Sequence, residues 1–165
     1  ENGNTLFVIT GCDIPDNTPY FKYERERKSL PLLFDISVME EGEREYRLIA
    51  KNSECFDISA PNRLPYFSGS ILYESTFKAD TDFTVLDLGQ VGEIAEVYLN
   101  DKYIGLRINA PYKFDLKDAL IKGENNLKII VKSNLAHRRR DDLSRFIQIP
   151  PSGILGNIAL CRYEK

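Results

Sequence analysis

Ala95-Glu96-Val97-Tyr98-Leu99-Asn100-Asp101-Lys102-Tyr103-Ile104-Gly105-Leu106-Arg107 is the stretch on which the fold turns. Ala95, Val97 and Leu99 fall on one side of an extended chain, and Glu96, Tyr98 and Asn100 fall on the other. That period of two marks a strand with one buried face. Asn100 and Asp101 then tolerate the left-handed backbone of a tight turn, so Tyr103 to Arg107 is expected to return as the second strand of a hairpin.

The same alternation extends in both directions. Upstream, Leu32, Phe34, Ile36 and Val38 alternate with Leu33, Asp35, Ser37 and Met39, and after the turn at Glu41-Gly42 the residues Tyr46, Leu48 and Ala50 resume the pattern. These two runs predict a hairpin. Ile71, Tyr73, Ser75 and Phe77 share a face, and the polar turn Lys78 to Asp82 leads into a run from Phe83 to Leu88, which reads as another antiparallel pair. Downstream, Asp115 to Leu120 fits one helical turn capped by the Asp115 side chain and ended by Gly123. Leu127, Ile129 and Val131 form the next buried face, Ser133 to Gln148 is a long polar stretch, and Ile154 to Arg162 follows the turn at Pro150 to Gly153 as a closing strand. Asp13 to Pro19 reads as a loop, and Tyr20 to Lys28 is charged enough for an exposed edge or a connection. Short strands at regular intervals with polar turns predict an all-β, antiparallel sandwich or jelly roll.

The 165 residues, 42% of them hydrophobic, suffice for one core. A net charge of -3 without a long single-sign block disfavours nucleic acid and anionic membranes as partners. No apolar run approaches the roughly 20 residues of a membrane span. The chain begins at Glu1 without methionine or a leader pattern, as expected of a domain cut from something longer. Cys12, Cys55 and Cys161 are too few for a disulfide framework and, with His137 the sole histidine, too few for a standard zinc site. No cofactor is expected, and a calcium ion in a loop is left open.

Several motifs in order resemble the sugar-binding-like jelly-roll domain of family 2 and, more closely, family 106 glycoside hydrolases. Tyr66-Phe67-Ser68-Gly69 with Tyr73 and Phe77 comes first, and Leu86-Asp87-Leu88-Gly89 leads into Ala95 to Asn100 and Gly105. Pro111-Tyr112 with Phe114-Asp115, Lys122-Gly123-Glu124-Asn125-Asn126-Leu127, Val131 with Asn134, and Ser152-Gly153-Ile154-Leu155-Gly156 follow. The resemblance runs from Tyr66 to Ala159. It implies a galactose-binding-like jelly roll, non-catalytic in itself, that sits beside a separate catalytic barrel in an exported, periplasmic or extracellular polysaccharide-degrading enzyme. Residues 61–165 are then the jelly roll proper, and residues 1–60 are expected to add strands and loops to the same single domain. The implied partners are carbohydrate or the catalytic domain of the same polypeptide; the alternative is a packing domain without its own ligand, and a free-standing hydrolase is a remote third reading.

Glycosidases oppose two carboxyl groups, but pairs such as Glu24-Glu26, Glu40-Glu41, Asp80-Asp82 and Asp141-Asp142 arise readily in turns, and no catalytic residue is assigned. The chain has no tryptophan, which the family often carries, so tyrosines are the aromatic candidates for a sugar's apolar face. Tyr66, Phe67, Tyr103 and Tyr112 lie near expected turns, with Phe67, like Tyr73, read as core. Tyr103, Arg107, Asn109, Tyr112 and Arg138 are the carbohydrate-binding candidates. The basic run His137 to Arg140, with Asp141, Asp142 and Arg145, reads as a solvated loop whose arginines pair with the aspartates, as a docking loop for another domain, or as a site for an acidic sugar. Gly69, Gly123 and Gly153 read as backbone devices.

Overall fold

The structure, a computed structural model, describes residues 24–79, 82–139 and 149–163. Alternation generates its strands: in β2 (Phe34–Glu40) the side chains of Phe34, Ile36 and Val38 are fully buried while those between them face outward. β4 (Gly69–Ala79), β7 (Ile94–Leu99) and β10 (Gly123–Lys132) repeat the pattern with Ile71, Tyr73 and Phe77, with Ala95, Val97 and Leu99, and with Leu127, Ile129 and Val131. Together with β3 (Arg47–Ser53) and β8 (Lys102–Arg107) they form a six-stranded antiparallel sheet in the order β3-β2-β4-β10-β7-β8.

A second sheet, in the order β1-β12-β5-β9, joins β1 (Glu24–Ser29), β12 (Ala159–Tyr163), β5 (Val85–Asp87) and β9 (Lys113–Asp115). Leu86, Phe114 and Leu160 reach from it into the same core as the inner faces of β2, β4, β7 and β10. Each large apolar side chain so buried contributes about 1.5–3 kcal/mol relative to exposure. A two-stranded ribbon of β6 (Val91–Gly92) and β11 (Gly153–Ile154) completes the set, giving twelve strands among the described residues. This is an all-β antiparallel sandwich, the fold class expected.

The two hairpins read from the sequence are present: β2 pairs with β3, and β7 with β8 around Asn100 and Asp101, both at positive φ. Asp115 Oδ1 accepts the Lys117 N–H at 3.0 Å and heads a single turn, whose Leu120 N–H donates to the Leu116 carbonyl. Three expectations are corrected. The run from Phe83 to Leu88 does not pair with β4; β5 belongs to the opposite sheet, between β12 and β9, because the chain crosses between layers there. Leu48 is not on a buried face: β3 is an edge strand, and its pairing with β2 shifts register between Phe34 and Ser37, which leaves Leu48 54% exposed. The closing strand is also interrupted, since β11 and β12 are separated by residues 155–158. β1 is exposed throughout, at an edge. The expected loop from Asp13 to Pro19, Cys12, Asp80 and the segment from Arg140 to Gln148 lie outside the described residues.

Candidate functional site

The outer face of the six-stranded sheet is ordered into rows by strand register. One row runs Asp35, Glu74, Lys128, Tyr98, Tyr103 across β2, β4, β10, β7 and β8. The adjacent row runs Leu48, Ser37, Leu72, Ile130, Glu96, Leu106. One row is therefore polar at one end and aromatic at the other, and its neighbour is mainly aliphatic.

At the aromatic end, Tyr98 and Tyr103 meet edge to face with ring centroids 5.4 Å apart and planes at 62°. Tyr103 is 52% exposed. The Tyr98 hydroxyl donates to Glu96 Oε1 at 2.7 Å, and Lys132 Nζ donates to Glu96 Oε2 at 2.8 Å. The bonds from Lys132 and Tyr98 outweigh burial and hold the Glu96 carboxyl below its ordinary value, while the bond to Glu96 pushes the Tyr98 hydroxyl up. Tyr98 is thus tethered at its hydroxyl, and its ring braces that of Tyr103.

At the polar end lies an open concavity of about 670 Å³, lined among others by Leu33, Asp35, Asn52, Glu74, Asp101 and Lys128. Its walls come from the segment ahead of β2, the end of β3 and the β7–β8 turn. Asp35 Oδ1 accepts the Asn52 N–H at 2.9 Å, and Lys128 Nζ lies 3.8 Å from Glu74 Oε1. Leu33 is 46% exposed and supplies an apolar patch among these polar groups. An apolar patch surrounded by acceptors and donors suits a polyhydroxylated ligand.

The five residues singled out in the sequence do not come together. Tyr103 stands on the outer face. Arg107 is on the same strand but turned the other way, with its guanidinium carbon 5.3 Å from the centre of the Phe114 ring and Nη1 donating to the Leu106 carbonyl at 2.9 Å. Asn109 is exposed in the connection between β8 and β9. Tyr112 is buried in the core, and its hydroxyl donates to the Glu93 carbonyl. Arg138 lies by the β2–β3 turn at the other edge of the sheet, with Nη1 3.5 Å from Glu41 Oε2. His137, at the head of the basic run, is buried, with Nε2 2.9 Å from the Pro150 carbonyl oxygen. Of the other aromatic candidates, Phe67 is core and Tyr66 is exposed.

A second polar group, not visible in the sequence, sits on the outer side of the four-stranded sheet. Ligand atoms of Glu24, Asp87 and Cys161 lie within 4.8 Å of one another. Arg27 and Lys113 already engage the two carboxylates, and burial pushes the Cys161 thiol up to about 11. A metal ion would have to displace two cations and deprotonate that thiol, so the arrangement is an ion-pair network.

The family described as glycosyl hydrolase 2 galactose-binding domain-like matches residues 66–155. A protein of Formosa agariphila named "Putative beta-glucuronidase" is 38% identical over 74 residues, 41% of this chain and 6% of that protein. A rhamnosidase from Novosphingobium sp. PP1Y has a TM-score of 0.62 at 23% identity, covering 89% of this chain and 16% of its own. A GH2 beta-galacturonidase from Eisenbergiella tayi has a TM-score of 0.58 at 21% identity, covering 88% of this chain and 26% of its own. At such identities the solved structures speak for the fold, and this chain spans only a small part of each of the longer proteins. The matched residues take in more than half of the sequence, from the loop ahead of β4 to β11, and the chain belongs to the glycosyl hydrolase 2 galactose-binding domain-like family.

Proposed function

We propose that this chain is a non-catalytic sandwich of a larger, exported glycoside hydrolase, periplasmic or extracellular, and that it contacts carbohydrate through the outer face of its six-stranded sheet. The observation that carries this is the alignment of the Tyr98–Tyr103 pair and the amphiphilic concavity in one row. Aromatic rings cover the apolar face of a sugar, and carboxylates and amides bond its hydroxyls. Nuclear magnetic resonance titration of the chain with a glycan panel tests it. Amide shifts confined to this face support the reading, and no shift with any saccharide at millimolar concentration refutes it. Fractionation of cells making the parent protein tests its export.

The aliphatic row favours a second reading, in which this face packs against the rest of the parent enzyme. Leu48 and Leu106 are exposed at its two ends, and Leu72 and Ile130 are half-buried between them. Such moderately apolar faces are typical of contacts between domains of one chain. The pair of substitutions Leu48→Glu and Leu106→Glu then lowers the melting temperature of the parent enzyme while leaving the separate chain unchanged.

A further inference from the structure

The strip of this face that runs from Leu33 and Asp35 to Tyr103 carries charges that bear on which sugars it can take, an inference that rests on the carbohydrate reading of the same face. Among the described residues, the concavity presents three carboxylates, Asp35, Glu74 and Asp101, against the one ammonium of Lys128. Lys128 is engaged by Glu74 at 3.8 Å. Of the neighbouring cations, Lys132 bonds Glu96 on the same face, the strand register sets Lys78 across from Glu124, and Lys102, opposite the inward-facing Leu99, turns away and donates from Nζ to the Asp118 carbonyl at 3.1 Å. Arginine is the side chain that pairs with a carboxylate at two points. Arg107 faces away from the strip, and Arg138 lies at the far edge of the sheet.

We infer that the strip from Leu33 and Asp35 to Tyr103 binds a neutral oligosaccharide lengthwise and discriminates against uronates. Asp35 on β2 and Tyr103 on β8 are separated by four strand-to-strand steps, about 19 Å in all at the usual spacing. That length suits a chain of sugars and exceeds one ring. The rings of Tyr98 and Tyr103 take the apolar face of one unit, and Asp35, Glu74, Asp101 and Asn126 bond the hydroxyls of the units beyond. A carboxylate-bearing unit in the same place meets three like charges and, among the described residues, no arginine turned toward the strip. Tethering Tyr98 through Glu96 and Lys132 fixes half of the platform before the ligand arrives, which lowers the entropic cost of binding.

The test is calorimetric and resonance titration of the full 165-residue chain, at neutral pH and low ionic strength. The probes are neutral oligosaccharides of the gluco, xylo and galacto series and an oligogalacturonate of equal length. At least one neutral probe binds, with amide shifts at Tyr98, Tyr103 and Lys128, and the uronate is at least about tenfold weaker, a gap that narrows as added salt screens the charges. Tyr103→Ala weakens the neutral probe about tenfold while lowering the melting temperature by no more than a few degrees, the cost of its edge-to-face contact with Tyr98. Asp35→Asn combined with Glu74→Gln narrows the gap. Equal or tighter uronate binding on the strip overturns the inference and leaves the carbohydrate reading standing. Binding that Tyr103→Ala does not affect overturns the strip. If no saccharide shifts this face, both fall and the packing reading remains.

Discussion

Arg27 and Asp87, 60 residues apart, meet with both terminal guanidinium nitrogens 2.9 Å from one carboxylate oxygen. The other oxygen of Asp87 accepts the Gly89 N–H at 2.8 Å. One nearly buried carboxylate therefore joins the edge strand β1 to the turn that follows β5. Asp87→Ala leaves these donors without their acceptor and is expected to cost about 2 kcal/mol, since Arg27 keeps part of its hydration. Urea denaturation measures the loss. Asp87→Asn, which preserves the bond to Gly89, loses less.

The adjoining residues give this sheet a pH signature. Burial pushes the Glu24 carboxyl up, but hydrogen bonds from Tyr163 and Lys113 and the charges of Lys113 and Arg27 outweigh it and hold the group below the ordinary 4.5. Burial likewise pulls the Lys113 ammonium down, and its bonds with Tyr163 and Glu24 outweigh that and hold it above 10.5. A depressed carboxyl stabilises the fold above its unfolded value and loses that contribution as pH falls through the folded one. A raised ammonium does the reverse, contributing fully below 10.5 and losing the contribution as pH rises through its folded value. Denaturation midpoints from acid to alkaline pH should fall at both ends. Glu24→Gln flattens the acid limb, and Lys113→Met flattens the alkaline one.

Asn125 is fully buried and uses all of its hydrogen-bonding positions. Its oxygen accepts from Asn100 Nδ2 at 2.9 Å and from the Ile121 N–H at 3.0 Å, and its nitrogen donates to the Ile121 and Gly123 carbonyls at 2.8 and 2.9 Å. It ties the β7–β8 turn to the start of β10. Asn125→Ala strands several buried polar groups at once, and a loss of about 3 kcal/mol is expected in chemical denaturation.

Two glycines separate crowding from backbone strain. A Cβ on Gly156 would lie 2.1 Å from the Gln90 nitrogen and 2.8 Å from the Gly89 Cα, where two chain segments cross. Gly123 has φ +102 and open space around it. Gly156→Ala must force the crossing apart and is expected to destabilise by about 3 kcal/mol or more, whereas Gly123→Ala meets only the backbone strain of a side chain at positive φ, about 1–2 kcal/mol. Equal losses at the two positions would contradict the crossing as drawn.

Alternation made most of the sandwich legible because β2, β4, β7 and β10 each keep one face in the core, and a period of two survives wherever water lies on one side only. It reports which side is buried and not which strand is the partner. Hence Phe83 to Leu88 looks like the return strand of Ile71 to Phe77, although β5 completes the opposite layer. Leu48 fails for a related reason, since a register shift beside an edge strand carries a side chain out of the core without altering the sequence pattern.

The candidate site was less legible. Tyr103 stands out as an aromatic residue beside a turn, but Tyr98 shows in the sequence only as facing away from the core. That the two rings touch is a matter of register. Asp35, Glu74 and Lys128 come from three strands and meet only once β2, β4 and β10 are aligned. Tyr112, near a turn like Tyr103, is drawn inward because its hydroxyl finds the Glu93 carbonyl and its ring fills the core. Nothing in local composition distinguishes these two tyrosines.

The pairing of β1 with β12 sets an order of events during translation. The six-stranded sheet can assemble once β10 has left the ribosome, and its β7–β8 hairpin closes locally and early. The opposing layer can start as the β5–β9 pair but cannot be completed, because β12 sits between β1 and β5 and Glu24 waits for Tyr163. Until then only β5 and β9, through Leu86 and Phe114, stand over the inner face of the nascent six-stranded sheet, and part of its oily side stays open to water, the kind of surface that chaperones hold.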